Sequence, residues 1–414
     1  MNMKPFVKER VLLANKYFYI KGGAENSYFE TARLLEQYGH QVVHFSMRDA
    51  RNRPSPYERY FVNPRDYEQN GLWNKVIAAL HLLYSFEGRR QIRRLIQDTQ
   101  PDIAHLNNIY HQISPSIIHE LKRFGIPVVM SLRDYKMVCG SYMMLHEGQI
   151  CEACKGGRYY HCFLNKCHKS SRFMGGLLTL EMYLHHRLLH LYDLVDYCIA
   201  PSRFLMNKVR DMGFKGRIAY IPNFVPVDQF HPRFTATGNT IVYVGRLSPE
   251  KGVLTLVKAA AHLDEVLVKI IGEGPQRAIL EKEAQAFGAK HIQFLGYLDK
   301  TRLCEEIRRS RLVVTPSECY ENNPRSVIEA FALGKPAIGA RIGGIPELVR
   351  DHETGMTFES GNVLDLREKI RYALADPERL EAWGRKGRDF VEKELNAETH
   401  YDKLTAIYHE VLTK

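Results

Sequence analysis

Two glutamates eight positions apart, Glu321 and Glu329, open the chemistry of this chain. They lie in ECYENNPRSVIEAFALGKP, residues 318–336, where a loop runs into a helical pattern. An ionised carboxylate is an acceptor-only group. Glu321 in the loop suits sugar hydroxyls, and Glu329 inside the helix suits a ribose diol. The bland alternative makes Glu321 a helix-dipole partner and Glu329 a surface charge. Backbone around Asn323, Pro324 and Ser326 begins the helix, and the N–H groups there suit an oxyanion. The stretch VYVGRLSPEKG, residues 242–252, adds Arg246 and Lys251 in a loop after a strand. A rigid guanidinium fork and a flexible ammonium together suit a diphosphate, against the alternative of solvated loop charge. Gly22 and Gly23, just before a helix at Ala24, let backbone approach an anion closely, although a tight turn needs no ligand.

Five of the eight cysteines fall between Cys139 and Cys167, spaced C-x11-C-x2-C-x7-C-x4-C. Four of Cys139, Cys151, Cys154, Cys162 and Cys167 suit a structural zinc or an iron–sulfur centre. Disulfides and plain thiols are the rivals, and disulfides are rare in a mesophilic cytosol.

The elements that must position these groups alternate strand and helix. Strands are expected at 11–14, 41–45, 102–106, 128–132 and 197–200, with helices at 24–38 and 114–123. The second half repeats the pattern more regularly, with strands at 240–244, 267–271, 291–294, 312–315 and 336–339. Its helices are expected at 253–263, 277–287, 301–309 and 324–333. Such alternation predicts two Rossmann-like α/β domains, with ligands at the strand ends. The boundaries read as 1–205, 206–385 and a helical tail at 386–414, with a Cys-rich insertion at about 139–168. Residues 173–191 form an apolar stripe with basic flanks. It fits either an anionic bilayer surface or burial against the sheet.

The 414 residues carry 58 Lys and Arg against 47 Asp and Glu, a net charge of +11. An apolar fraction of 45% and a charged fraction of 25% exclude wholesale disorder. No apolar stretch is long enough to span a bilayer, and the start shows no leader pattern. Both point to a cytoplasmic protein. The positive charge attracts anions, but no basic stripe with stacking aromatics points to nucleic acid.

The set GRLSPEKG, GEGP, ENNPRSVIEAFALGKP and GGIPELV resembles the retaining nucleotide-sugar glycosyltransferases of family 4, which have the GT-B fold. The cysteine-rich insertion is similar to that of some bacterial surface-polysaccharide enzymes in the family. The resemblance implies a donor in the second domain, an acceptor in the first, and terminal helices that cross back. It implies Arg246 and Lys251 on the donor diphosphate, with Gly22 and Gly23 closing from the opposite side. Gly272, Gly274, Pro275, Tyr297 and Leu298 would flank the base, Glu329 the ribose and Glu321 the sugar. Asn323, Pro324 and Ser326 would bring the helix start to the phosphate. Transfer would be retaining, metal-independent and free of any organic cofactor, with a UDP-sugar favoured over a GDP-sugar. The acceptor would be a lipid-linked or polysaccharide chain at the inner face of the membrane.

One departure is Arg133, in VVMSLRDYK, where many relatives have His. A guanidinium cannot act as a neutral base. Arg133 would face an anionic sugar or acceptor phosphate, beside Asn107 and Asp134, while His111 is the substitute for direct sugar contact. His111 and His105 also read as packing residues. The alternatives to transfer are a GT-B hydrolase, epimerase or phosphorylase, and a scaffold subunit without turnover.

Overall fold

A computed structural model describes residues 8–64, 79, 81–168, 170–236 and 238–413. The first seven residues of the stretch read for a leader therefore lie outside the described residues. Fourteen strands follow in chain order: β1 (Arg10–Ala14), β2 (Gln41–Phe45), β3 (Ile103–Leu106), β4 (Val128–Ser131), β5 (Leu145–His146), β6 (Gln149–Ile150), β7 (Tyr197–Ala200), β8 (Ile218–Tyr220), β9 (Thr240–Val244), β10 (Leu267–Ile271), β11 (Ile292–Gly296), β12 (Leu312–Thr315), β13 (Ala337–Ala340) and β14 (Gly355–Phe358). Two parallel sheets result, in the orders β2-β1-β3-β4-β7-β8 and β11-β10-β9-β12-β13-β14, while β5 and β6 form a small hairpin. The runs IAHL, VVMS and LVVT are buried at every position. Strands covered on both faces read as such continuous runs rather than as alternation.

The order reverses between β1 and β3 in the first sheet, and between β9 and β12 in the second. A crevice opens at such a reversal, beyond the carboxyl ends of the strands. The loops after β1 and β3 therefore converge in the first domain. Those after β9 and β12, which carry Arg246, Lys251 and Glu321, converge in the second.

The boundary expected at 205/206 is corrected. The helix Arg203–Asp211 and strand β8 belong to the first domain, because β8 pairs with β7. The chain crosses just beyond Ile221, and Val225 already packs in the second core. Short, half-buried IAY in β8 carried too little pattern to be read. The tail is corrected in the same way. The helix Pro377–Glu394 packs Trp383, Phe390 and Val391 into the second core, so the chain returns at Leu395 rather than at 386. Asn396 then caps the helix Ala397–Leu412 by accepting from the Thr399 N–H at 2.8 Å. That last helix buries Tyr401, Leu404, Tyr408 and Val411 against β1 and the helix Gly23–Gln37. The two crossing segments touch where Val225 N–H donates to Leu395 O at 3.1 Å.

The stripe expected over 173–191 is not one helix. A helix runs Arg172–Tyr183 and widens into a π turn at Leu184–Leu188. His190 in the left-handed region, φ 49°, then breaks it. Its inner face buries Leu178, Glu181, Met182 and His185, while Phe173, Leu180 and Leu188 stay exposed.

Buried histidines pin the returning helix. His105 bonds Tyr408 Oη at 2.7 Å and Ser131 Oγ at 2.8 Å. His400 Nδ1 lies 2.9 Å from Pro222 O, and His40 Nε2 lies 2.8 Å from Tyr401 Oη. Burial pushes the pKa values of His105 and His400 down to about 3, and that of His44 to about 4. Below about pH 6.5 the unfolded chain takes up protons that these folded histidines refuse. Stability should therefore fall with acidification, by on the order of 1 kcal/mol per pH unit for each such histidine, until the folded values are reached. Urea unfolding at pH 7.5, 6.0 and 5.0 measures this, and a flat profile would contradict it.

Candidate active site

At the crevice of the second sheet, Lys251 Nζ lies 2.6 Å from Glu321 Oε1. Ser317 Oγ donates to the same oxygen at 2.8 Å. Burial pushes the Glu321 carboxyl up, but the charge and hydrogen bond of Lys251 overcome this and hold it below the usual range. Lys251 is raised in turn, its own burial outweighed by Glu321. Both groups stay charged at neutral pH. Arg246 differs. Its guanidinium is exposed and makes no ion pair or side-chain hydrogen bond among the described residues. Its backbone is fixed, because Tyr243 Oη donates to Arg246 O at 2.9 Å.

Glycines let three loops reach this point. Gly252 has φ 63°, and a Cβ there would stand 1.9 Å from Pro316 O. Gly343 has φ 60°, and its Cβ would stand 2.4 Å from Glu321 O. Gly344 N–H donates to that same carbonyl at 2.6 Å. The GGIP string thus clamps the backbone that carries Glu321. The GEGP loop lies alongside, with Leu247 N–H donating to Glu273 O and Gln276 N–H to Leu247 O, both at 3.0 Å. Gly272, Gly274 and Pro275 are therefore next to the Arg246 loop. Tyr297 is 79% exposed in the following loop, and Leu298 packs against the second core.

The helix Arg325–Ala332 begins just after Pro324, and Ser326 lies in its first turn. Its first residue, Arg325, was not singled out from sequence, although it stands inside the ENNPRS string. Arg325 grips Glu30 of the first domain at 2.7 and 2.9 Å, and Glu329 at 3.2 Å. Burial raises the Glu329 carboxyl, with Arg325 opposing, Glu30 adding to the rise and Lys300 opposing more weakly. Gly23 faces the same arginine, since a Cβ there would lie 3.5 Å from Arg325 Cδ. Gly22 caps the helix behind it in extended conformation.

Arg133 is held by a set of amides. Nη1 donates to Asn223 Oδ1 at 2.9 Å, while Nε and Nη2 donate to Asn107 Oδ1 at 3.3 Å. Asn223 in turn donates from N and Nδ2 to Asn323 Oδ1 and O, each at 3.0 Å. Asn322 Nδ2 returns to Arg133 O at 2.8 Å. Burial pushes the Arg133 pKa down to about 10, helped by Arg325 and opposed by Glu25 and Glu30. Asn107, Arg133 and Asn323 thus tie the domains together. Two further ties were also missed from sequence. Glu347 caps the helix at Arg203, accepting from its N–H at 2.9 Å and from Phe204 N–H at 2.6 Å. Glu152, between Cys151 and Cys154, accepts from Lys208 at 2.6 Å and from Tyr320 Oη at 2.8 Å. The insertion thereby touches the residue before Glu321.

On the first-domain side, burial pushes Asp134 up to about 6, against the backbone N–H and charge of Lys136. Lys136 and Glu181 form a fully buried pair at 2.6 Å. His111 Nδ1 lies 3.7 Å from the other oxygen of Glu181. Burial pushes His111 down to about 3, outweighing Glu181, so it is neutral near pH 7. Its φ of 65° turns the loop after β3. All five clustered cysteines are free thiols, as are Cys198, Cys304 and Cys319. Cys162 is drawn down by hydrogen bonds with Cys154 and then Cys167. Among the described residues no group of three or more His, Cys, Asp or Glu side chains is arranged to hold a metal ion.

Two family models cover this architecture. "Glycosyltransferase Family 4" matches residues 21–229 and "Glycosyl transferases group 1" matches 226–390. The chain belongs to glycosyltransferase family 4. The junction of the two matches falls at the observed domain crossing. Sulfoquinovosyl transferase SQD2 of Arabidopsis thaliana is 32% identical over 298 residues, 68% of this chain and 56% of that protein. This chain matches between 19% and 56% of the length of the first curated relatives. Sucrose-phosphate synthase of Thermosynechococcus elongatus superimposes with a TM-score of 0.75 at 19% identity, over 98% of this chain and 99% of that one. HepE of Anabaena, solved with UDP and glucose, gives 0.67 at 14% identity, over 97% and 100%. The shared fold is GT-B.

Arg325 holds two carboxylates that burial would otherwise strand. Arg325→Met should destabilise the family-4 fold by about 3–5 kcal/mol at pH 7.5, the usual cost of an uncompensated buried charge. The loss should shrink on acidification, because burial raises the Glu329 carboxyl and favours its protonation. Paired urea titrations of wild type and variant at pH 7.5 and 4.5 test this, and a pH-independent loss would assign Arg325 to packing alone.

Proposed function

We propose that this protein is a retaining, metal-independent glycosyltransferase that moves a sugar from a UDP-sugar to a lipid-linked or polysaccharide acceptor. The observation that carries this reading is the uncommitted Arg246 guanidinium beside the Lys251–Glu321 pair, at the crevice of the second sheet. Family membership and the whole-chain likeness to HepE, a protein solved with UDP and glucose, support it. In this reading the second domain holds the donor and the first the acceptor. Arg246, Lys251 and the N–H groups at the start of the Arg325–Ala332 helix stabilise charge on the departing diphosphate. Gly22 and Gly23 close over it. Glu329 accepts from the ribose and Glu321 from the transferred sugar. The loop at Gly272, Gly274 and Pro275, with Tyr297 and Leu298, borders the base. The acceptor hydroxyl attacks from the face the diphosphate leaves, and a departing phosphate oxygen takes its proton. No protein nucleophile is needed. His111, neutral, contacts the sugar or acceptor, and Asp134 belongs to the same acceptor side.

Calorimetric titration with UDP, GDP and ADP at one salt concentration is the test. UDP should bind at least tenfold more tightly than the others, and Arg246→Ala should weaken it at least tenfold. Equal binding of all three would sink the UDP assignment, and no binding would favour a scaffold without turnover. Proton NMR of the product anomer tests retention.

The same reading places the enzyme on the inner face of a membrane. No helix among the described residues is long and apolar enough to cross one. What supports surface contact is a concentration of exposed apolar side chains in the end of the insertion and the helix that follows it. Phe163, Leu164, Phe173 and Leu180 are 45–65% exposed. Phe163 stands on Gly176, so the two short helices share this face. Exposed Arg172 and Arg187 flank it. An apolar face ringed by cations fits an anionic lipid surface. Sedimentation with vesicles of phosphatidylglycerol should capture the protein, and phosphatidylcholine vesicles should not. Phe173→Ser with Leu180→Ser should reduce capture several-fold, and capture equal to wild type would refute this surface.

A further inference from the structure

We infer that Lys16 and Lys21, gathered on Tyr17 in the loop after β1, bind an oxyanion carried by the acceptor, a phosphate or carboxylate beside the sugar to be extended. This rests on the transferase reading above and gives its acceptor a chemical class. The loop lies at the crevice of the first sheet, where β1 and β3 part. Lys16 N–H donates to Asn108 O at 2.7 Å, which fastens the loop to the end of β3.

Two ammonium groups share one ring here. Lys21 Nζ donates to Tyr17 Oη at 3.0 Å and stands 4.4 Å from the ring centroid. Lys16 Nζ stands 4.9 Å from the same centroid. Burial would raise the Tyr17 phenol, yet the two lysines pull it below its usual range. Nearby carboxylates are engaged or set apart. Asp49 is paired with Arg51 at 2.8 Å, and Glu25 is buried in the first turn of its helix. No carboxylate lies within 4 Å of either lysine ammonium among the described residues. Like charges drawn together without a counter-ion repel, and an oxyanion between them removes that cost.

The surroundings suit a sugar attached to that anion. Asn15 is fully buried, donates to Tyr17 O at 2.8 Å, and its Oδ1 has no partner among the described residues. It is an acceptor for a hydroxyl. Tyr142, brought from the insertion by a φ of 58°, is 37% exposed. Its phenol feels the charges of Asp134, Arg246 and Tyr17. His111 feels Lys16. The loop after β1, the loop after β3 and Tyr142 therefore border one space that reaches the donor-side arginine. An anion on the two lysines would leave its sugar pointing toward Arg246.

The test uses full-length protein saturated with UDP, so that donor-site cations are occupied. Glucose 1-phosphate, glucuronate and methyl glucoside are titrated calorimetrically. At least one anionic probe should bind tenfold or more tightly than the neutral glycoside. Lys16→Gln with Lys21→Gln should remove that preference, while UDP affinity stays within twofold. Lys21→Gln alone, at an exposed position, should remove part of it and guards against misfolding of the double variant. A stronger phosphate arm points to a lipid-linked diphosphate as the source, and a stronger carboxylate arm to an acidic glycan. Equal binding of all three probes, binding of neither anion at millimolar concentration, or a variant that keeps the preference overturns the inference. So does a tenfold loss of UDP affinity in the variant, which would assign the lysines to the donor. Failure of wild type to bind UDP at all would instead strike the transferase reading.

Discussion

The two domains depend on one amide. Asn223, in the crossing segment, donates from its backbone and side chain to Asn323 and accepts from Arg133. A carboxamide carries donors and an acceptor together, so it can serve both sides of a joint at once. A carboxylate could not donate, and a hydroxyl has only one hydrogen. Position follows from this joint. Glu321 stands two residues before Asn323 and Arg325 two after, so a shift of the joint moves both across the cleft. Asn322 closes the loop by returning to the Arg133 carbonyl. Arg325 then makes the joint electrostatic as well as polar, because its guanidinium spans Glu30 of one domain and Glu329 of the other.

Much of the second domain was legible, and the reason is physical. Three of its strands are buried at every position, its helices are amphipathic, and several of its glycines are required by close approach of backbone. Gly252 and Gly343 mark places where any Cβ would strike a carbonyl. Such signals survive in a single sequence. The joint was not legible, because a long-range hydrogen bond leaves no local pattern. Arg133 was noticed as a departure, yet its partners lie 26 and 90 residues away. Arg325 was hidden inside a recognisable string for the same reason. Strand β8 was missed because three residues at a sheet edge, one buried and two half-buried, do not show a period. Glu152, inside the Cys151–Cys154 knuckle, was passed over for the same reason as Arg325, since it holds Tyr320 and Lys208, 168 and 56 residues away.

Charge balance separates the two crevices. In the second domain the cation and anion largely satisfy each other, as Lys251 and Glu321 do at 2.6 Å. Such a pair adds little net field, and opening it costs desolvation that a ligand must replace. Arg246 makes no ion pair there among the described residues. In the proposed reading, a diphosphate arriving at this loop meets that arginine and a lysine that must turn from Glu321. If it does turn, Glu321 loses its counter-ion at the moment when sugar hydroxyls would be present to donate to it. Donor binding and exposure of the sugar-reading carboxylate are then one event. The first domain is built the other way. Its deep ion pair, Lys136 with Glu181, is sealed from solvent, and its histidines are kept neutral by burial. Lys16 and Lys21 make no ion pair with a carboxylate among the described residues, although Glu25 and Asp49 feel the charge of Lys21. Neutral histidines beside such lysines suit the proposed acceptor side, which would answer to an arriving anion rather than to a proton. That is the arrangement the proposed front-face transfer needs, since in that reading the departing phosphate, and not a protein base, collects the acceptor's hydrogen.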